Sequence, residues 1–210
     1  MNRRSFLARP LGFGSLATMF GLFGPSQPRS AGLADRREPN DEVNARLPTI
    51  GAAPPFVLTD QDGRKLSMAD LRGKVLALSF IYTACSDTCP ILTARLAALQ
   101  APLGADFGPR LRFVSISVLP EYDTPAILRD YARAHRADLR GWSFLTGSAE
   151  GVQAAVRGYG SYAARNRAGR VDHLTLTSLV DKLGRLRVQY LGTRFRDDEV
   201  LRDLRALLAE

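Results

Sequence analysis

Cysteine is nearly absent from this 210-residue chain: there are two, Cys85 and Cys89. That is too few for a disulfide framework, and a chain this long buries a core without one. No run of 18 or more apolar residues occurs, which argues against a conventional membrane-spanning helix. Histidine is equally scarce, at two residues, and only three of the 29 basic side chains are lysines, Lys65, Lys74 and Lys182. No proline follows Pro125, and no internal repeat is visible. The rest is unexceptional: 45% hydrophobic and 24% charged residues belong to a globular protein, not to a disordered, collagen-like or coiled-coil chain. The length fits one domain, or one domain plus a targeting segment.

The formal net charge is +8, which raises the question of nucleic acid. Residues 1–34 contribute Arg3, Arg4, Arg9 and Arg29 and no acid, so the remainder carries 25 basic against 21 acidic residues, a net +4. Those cations are scattered among acids, with no aromatic-interleaved stripe and no nucleic-acid motif, so no nucleic-acid partner is expected. The N-terminus itself has a different reading. Asn2-Arg3-Arg4-Ser5-Phe6-Leu7 followed by a short Gly-rich apolar run at 11–23 resembles a twin-arginine export signal. Small residues at Ser30, Ala31, Gly32 and Ala34 offer cleavage sites. The organisation expected is therefore a leader over 1–34, a polar linker over 35–50 and a folded domain over 51–210. The place implied is the bacterial periplasm, with a membrane tether only through a partner or an uncleaved N-terminus. An oxidising periplasm makes a pair of thiols either a disulfide or a protected site.

The folded part opens with a hairpin, 56–59 returning through 64–66 by way of Asp60-Gln61-Asp62-Gly63. Ser67 with Asp70 three residues on reads as the start of a helical turn. The unbroken apolar run 75–82 suits a strand buried on both faces. Pro90 then predicts a helix entered with Cys89 near its N-cap and running to Gln100. A strand over 111–118, a helix from Thr124-Pro125 to Ala137, a short strand over 142–145 and a helix from Ala149 capped by Ser148 follow. Residues 157–172 show no period. Strands over 174–180 and 186–190 form a second hairpin, and a helix over 197–208 closes the chain. Alternating strands and helices read as an α/β domain with a mixed sheet, an N-terminal β-hairpin and a closing hairpin plus helix.

Three residues carry the chemistry: Cys85, Cys89 and His173. The cysteines lie between a buried strand and a helix N-terminus, where orphan N–H groups and the positive end of the dipole favour thiolate. With three residues between them, the sulfurs come together as a disulfide or as a metal chelate. A purely structural disulfide closing so short a loop contributes only about 2 kcal/mol in the loop-entropy picture. His173 ends the structureless stretch 157–172, and such segments in compact domains tend to be functional. Strand-end loops on one side of an α/β sheet converge on one crevice, which gathers all three residues. Asp172 either orients the imidazole or caps a turn. His135, among charges on a helix face, is expected to be solvated. Two thiolates and one imidazole suit three-coordinate Cu(I), and with a further ligand admit Zn(II) or Cu(II).

These motifs, in order, resemble those of the Sco (SenC) family over about 54–208: Cys85-Ser-Asp-Thr-Cys89-Pro90, Ser115-Ile-Ser-Val-Leu-Pro120-Glu-Tyr-Asp123-Thr-Pro125, Trp142-Ser-Phe-Leu-Thr-Gly147, and Val171-Asp172-His173 ahead of Leu179-Val-Asp181. The resemblance implies a thioredoxin-like fold and copper handling in respiratory oxidase assembly. It makes Cys85, Cys89 and His173 the ligands of one copper ion, Cu(I) or Cu(II). The implied partners are the copper-centre subunit of cytochrome c oxidase and another copper chaperone or a thiol reductant. Three positions depart from the family's usual pattern: Ser86 for proline, Leu119 for an acid, and Leu174 for serine. A metallochaperone is the first expectation. The alternative is a thiol–disulfide oxidoreductase using Cys85 and Cys89 as a redox dithiol to keep a partner's copper-ligand cysteines reduced. The absence of proline after Pro125 removes the cis-proline that thioredoxin-type oxidoreductases set opposite the dithiol, and favours metal binding. The arginines of 157–170 offer either a dock for an acidic partner or a solvated surface. No peroxidase signature is recognisable.

Overall fold

The computed structural model describes residues 47–167 and 171–210. The leader expected over 1–34 and the linker up to residue 46 lie outside the described residues. Residues 47–50, expected as linker, are fastened to the domain: the Ile50 N–H donates to the Leu186 carbonyl at 2.8 Å, and the Arg187 guanidinium takes the carbonyls of Leu47 and Pro48.

The chain forms β1 (Gly51–Ala52), β2 (Val57–Asp60), β3 (Lys65–Ser67), β4 (Val75–Ile81), α1 (Thr88–Leu103), β5 (Leu111–Ser117), α2 (Pro125–Ala134) and β6 (Trp142–Thr146). It continues through α3 (Ala149–Gly158), β7 (Ala163–Arg165), β8 (Val171–His173), β9 (Leu176–Val180), β10 (Arg185–Leu191) and α4 (Asp197–Ala209). Eight strands make one mixed sheet in the order β1-β10-β9-β4-β5-β6-β2-β3. β4, β5 and β6 run parallel, and β9 lies antiparallel to β4.

The apolar run of β4 puts it at the centre, every residue buried. Its side chains alternate with the pleat. Val75, Ala77 and Ile81 join a core with α1, α2 and α4, while Leu76, Leu78 and Phe80 join a second core with α3 and the β2–β3 hairpin. This is the thioredoxin-like α/β arrangement expected, with its N-terminal hairpin and closing hairpin plus helix. Ser67 and Asp70 bond each other reciprocally as a capping pair, Ser67 N–H to Asp70 Oδ2 at 2.8 Å and Asp70 N–H to Ser67 Oγ at 3.3 Å.

Three local expectations change. α1 begins at Thr88, so Cys89 lies inside its first turn, not at the cap, and Pro90 follows as the third helical residue. The helix runs past Gln100 to Leu103 with Pro102 in its last turn, where the missing N–H costs a single ladder bond close to the helix end. The stretch 157–172 is not structureless: α3 reaches Gly158, and β7 pairs with β8 as a separate two-stranded ribbon, Ala163 opposite His173 and Arg165 opposite Val171. His173 therefore ends β8 and does not start the following strand. Ala-Ala-Arg carries none of the β-branched or aromatic residues that mark a strand.

The aromatic core fixes the entry to β6. Phe107, Phe113 and Trp142 pack edge to face with centroids 5.0 and 5.3 Å apart, and the Trp142 indole N–H donates to Ser115 Oγ at 3.0 Å. Gly141 precedes Trp142, and a Cβ there would stand 2.4 Å from Phe107 Cε1 and 2.9 Å from the Gly108 nitrogen. Gly141→Ala is expected to cost about 1–3 kcal/mol of stability, as over-packing does. Urea unfolding checks it, with an unchanged midpoint as the contrary result.

Candidate metal centre

β4 delivers the chain to the site. After Ile81, residues 82–85 form a tight turn closed by the Cys85 N–H donating to the Tyr82 carbonyl at 3.2 Å. The turn is held from the side by Asp123, which accepts from the Thr83 N–H at 3.1 Å and the Thr83 hydroxyl at 2.5 Å. Cys85 is half-buried, Cys89 is buried on the first turn of α1, and both are free thiols. Thr93, one turn further along α1, donates to the Cys89 carbonyl at 2.8 Å and pairs with the Tyr131 hydroxyl at 3.0 Å, which fixes that turn against α2.

His173 arrives from the far end of the β7–β8 ribbon. Its Nε2 lies 3.3 Å from Cys89 Sγ, and one donor atom from each of Cys85, Cys89 and His173 lies within 4.8 Å of the others. Donors of one ion bound at about 2.0–2.3 Å stand about 3.5–4 Å apart, so small side-chain rotations close the cluster on a cation. Among the described residues this is the one group of three or more His, Cys, Asp or Glu side chains able to hold a metal ion. An open cleft of about 480 Å³, lined among others by Tyr82, Cys85, Asp87, Tyr162 and His173, gives access to it.

The three donors are electrostatically distinct. Burial works against a thiolate at Cys85, but the backbone N–H groups of Cys89 and Asp87 aim at that sulfur and hold its pKa below the usual thiol value. Cys89 is deeper, and burial, reinforced by the neighbouring Cys85, pushes its thiol well up. Burial also lowers the His173 pKa, which keeps the imidazole neutral and able to coordinate. Its Nδ1 is buried without a hydrogen-bond partner. The Tyr82 ring packs edge-on against the imidazole, centroids 5.5 Å apart, and burial with the adjacent Cys85 pushes the Tyr82 hydroxyl up to about 12. Two sulfurs and one imidazole nitrogen form a soft donor set, and binding must displace the Cys89 proton.

The other sequence candidates fall elsewhere. Asp172 accepts from the Asn166 side chain at 3.1 Å, so it belongs to the turn of its own ribbon and does not orient the imidazole. His135 caps the end of α2, half-buried against Tyr131 at 4.3 Å, and burial lowers its pKa; it is less solvated than expected. Arg165 pairs with Glu121 at 2.5 Å and is not a free cation. Leu119 is buried, Ser86 is exposed, and Leu174 donates its N–H to the Tyr162 carbonyl at 3.1 Å. Sequence reasoning missed Tyr82, Thr83 and Asp123 as builders of the site. Asp123 stood only as one letter of a motif, 40 positions from Thr83.

The sequence profile of the SCO1/SenC family matches residues 46–209. The SCO1 protein homolog of Bacillus subtilis is 30% identical over 72% of this chain and 80% of its own. A SCO1/SenC family lipoprotein from Bacillus anthracis superposes with a TM-score of 0.69 at 31% identity, over 76% of this chain and 96% of its own. Bradyrhizobium japonicum ScoI, solved with copper bound, superposes with a TM-score of 0.64 at 28% identity, over 73% and 98%. Among the described residues, no helix is long and apolar enough to cross a membrane.

Proposed function

The chain belongs to the SCO1/SenC family, and from that premise we propose that it is a copper metallochaperone, holding one copper ion through Cys85, Cys89 and His173 and passing it to the dinuclear copper centre of cytochrome c oxidase. The observation that carries this reading is the convergence of the three donor atoms within 4.8 Å at the mouth of an open cleft. A half-exposed sulfur at the rim with a buried one behind it lets an acceptor's thiolates share the ion before it leaves, so that copper is never free in solution. Residues 1–34 act as the export leader that places the domain in the periplasm, where the acceptor's copper centre is reached.

A second reading has its own observation, the asymmetry of the thiols. Cys85, half-exposed with a lowered pKa, is suited to attack a partner disulfide as thiolate, forming a mixed disulfide and releasing one partner thiol. Cys89, giving up its proton, then attacks Cys85. The partner leaves fully reduced, and the Cys85–Cys89 pair is left oxidised, to be re-reduced by an external dithiol.

Anaerobic titration separates the two readings. The reduced protein is expected to bind one equivalent of copper. His173→Ala is expected to weaken Cu(II) binding by at least about tenfold, the scale of perturbing a metal's ligand environment, while both thiols remain titratable. Copper binding as tight as the wild type's in a variant lacking His173 and both cysteines overturns the chaperone reading. A metal-indifferent protein that reduces a disulfide substrate at an undiminished rate establishes the second.

A further inference from the structure

The cysteine turn is fastened to the neighbouring strand by a single side chain. Asp123 is fully buried, and it lies in the loop between β5 and α2. Its Oδ1 accepts from the Thr83 hydroxyl, and its Oδ2 accepts from the Thr83 N–H at 3.1 Å and from the Ser117 hydroxyl at 2.5 Å. Ser117 in turn accepts the Leu119 N–H at 3.0 Å, and the Leu119 carbonyl receives the N–H groups of Tyr122 and Asp123. The loop is thus wound around one carboxyl group whose hydrogen-bond donors come from two separate strands' ends. Thr83 is the second residue of the turn that ends at Cys85. The conventional helix cap at this place is a different residue: Thr124, not Asp123, accepts the Ile127 N–H. So the burial of Asp123 is not explained by starting α2.

We propose that Asp123 is a positioning residue for the metal site: by holding Thr83 at both its N–H and its hydroxyl, it sets the 82–85 turn and so the placement of Cys85 relative to Cys89 and His173. The inference rests on the copper reading above. Cys89 and His173 have their own supports, in α1 and the β8 ribbon. Cys85 has no secondary structure of its own, and its direction is inherited from this turn. A buried group satisfied by several converging donors confines its neighbours more tightly than a solvated contact does, and ligand-orienting groups of this kind typically change metal affinity by about 10–100-fold when replaced.

Asp123→Asn keeps the size and one acceptor oxygen but turns a donor toward groups that are themselves donors. In the folded variant, judged by unchanged far-UV circular dichroism, Cu(II) affinity is expected to fall by about tenfold or more, with a shifted sulfur-to-copper charge-transfer band. In metal-free protein, the rate of Cys85 alkylation by iodoacetamide at fixed pH is expected to change as the turn loosens. Thr83→Ser, which keeps both bonds to Asp123, is expected to match the wild type in all three readouts. Thr83→Val, which loses the hydroxyl bond alone, serves in place of Asp123→Asn should that variant not fold. A folded variant with wild-type affinity, band position and alkylation rate overturns the proposal. Failure of the wild-type protein itself to bind copper overturns the copper reading instead, and the alkylation rates of metal-free protein then decide the positioning of Cys85 by themselves.

Discussion

Cys89→Ser and Cys85→Ser are each expected to bind copper on the order of 10³-fold more weakly than the wild type. Structural zinc sites built from thiolates and imidazoles are worth roughly 10–16 kcal/mol in apparent binding free energy, and the same scale is taken for this donor set. Loss of one of three donors forfeits about a third, or about 4 kcal/mol, which is close to three decades in affinity. A hydroxyl is no substitute, being a hard donor where a soft cation prefers sulfur. The fold should tolerate both changes. Cys85 is half-exposed, and at position 89 a serine hydroxyl of nearly the same shape still faces His173 Nε2, now 3.3 Å from the sulfur. Competition against a chelator of known affinity measures the effect. Either variant binding within tenfold of the wild type removes that sulfur from the ligand set.

The largest loss of stability is expected far from the cleft, at Arg187. Its guanidinium is 2% exposed and meets Asp181 at 2.9 Å and Glu210 at 2.6 Å, besides the two backbone carbonyls of residues 47 and 48. Asp181 is itself buried. Arg187→Leu strands that carboxylate with Arg185 as its remaining ionic partner, at 2.6 Å. Breaking a buried pair from one side costs about 3–5 kcal/mol, a loss readable in urea or thermal unfolding. The acid side of the stability curve adds a second signature. Burial raises the Asp181 pKa, but the Arg185 N–H and the Arg185 and Arg187 guanidinium groups outweigh it and hold the carboxyl below its ordinary value of 3.8. A carboxyl lowered in the folded state stabilises above its unfolded pKa, and that contribution vanishes as pH falls through the folded value. The wild type is therefore expected to lose stability below about pH 4 more steeply than Arg187→Leu. Parallel acid limbs for the two proteins contradict this assignment.

How much of this was legible beforehand follows from which interactions are local. The β4 run, the β2–β3 hairpin with its Asp60–Gly63 turn, and the closing hairpin through Asp181–Gly184 announce themselves within a few residues, because burial on both faces and tight turns leave composition signals. The cysteine spacing is equally local. His173 was picked out by its place at the end of an aperiodic stretch, and the family resemblance added its role as a ligand, since a lone histidine says little by itself. The start of α1 was misplaced because Pro90 usually marks the first helical residue, whereas here it is the third. β7 was invisible because two alanines and an arginine pair across a ribbon without any pattern of their own. Asp123 and Arg187 were beyond reach for a stronger reason. Each pairs one partner six residues away, Ser117 or Asp181, with others tens of residues off, and nothing adjacent in sequence distinguishes a buried anchor from an ordinary surface charge.

The ribbon that ends in His173 consists of two three-residue strands paired with no other strand. An isolated ribbon of that size is marginal by itself and is seated on the second core mainly through Val171, whereas α1, which bears Cys89, is embedded in the larger core. Local opening draws on the least cooperative parts of a fold first. The imidazole thus rides on a segment whose fraying costs less than global unfolding, and the Cys89 sulfur on one that shares the fate of the whole domain. The centre is accordingly built with one donor, Cys89, rooted in a core helix and two carried by slighter segments, the 82–85 turn and the ribbon, an inequality present before any cation arrives.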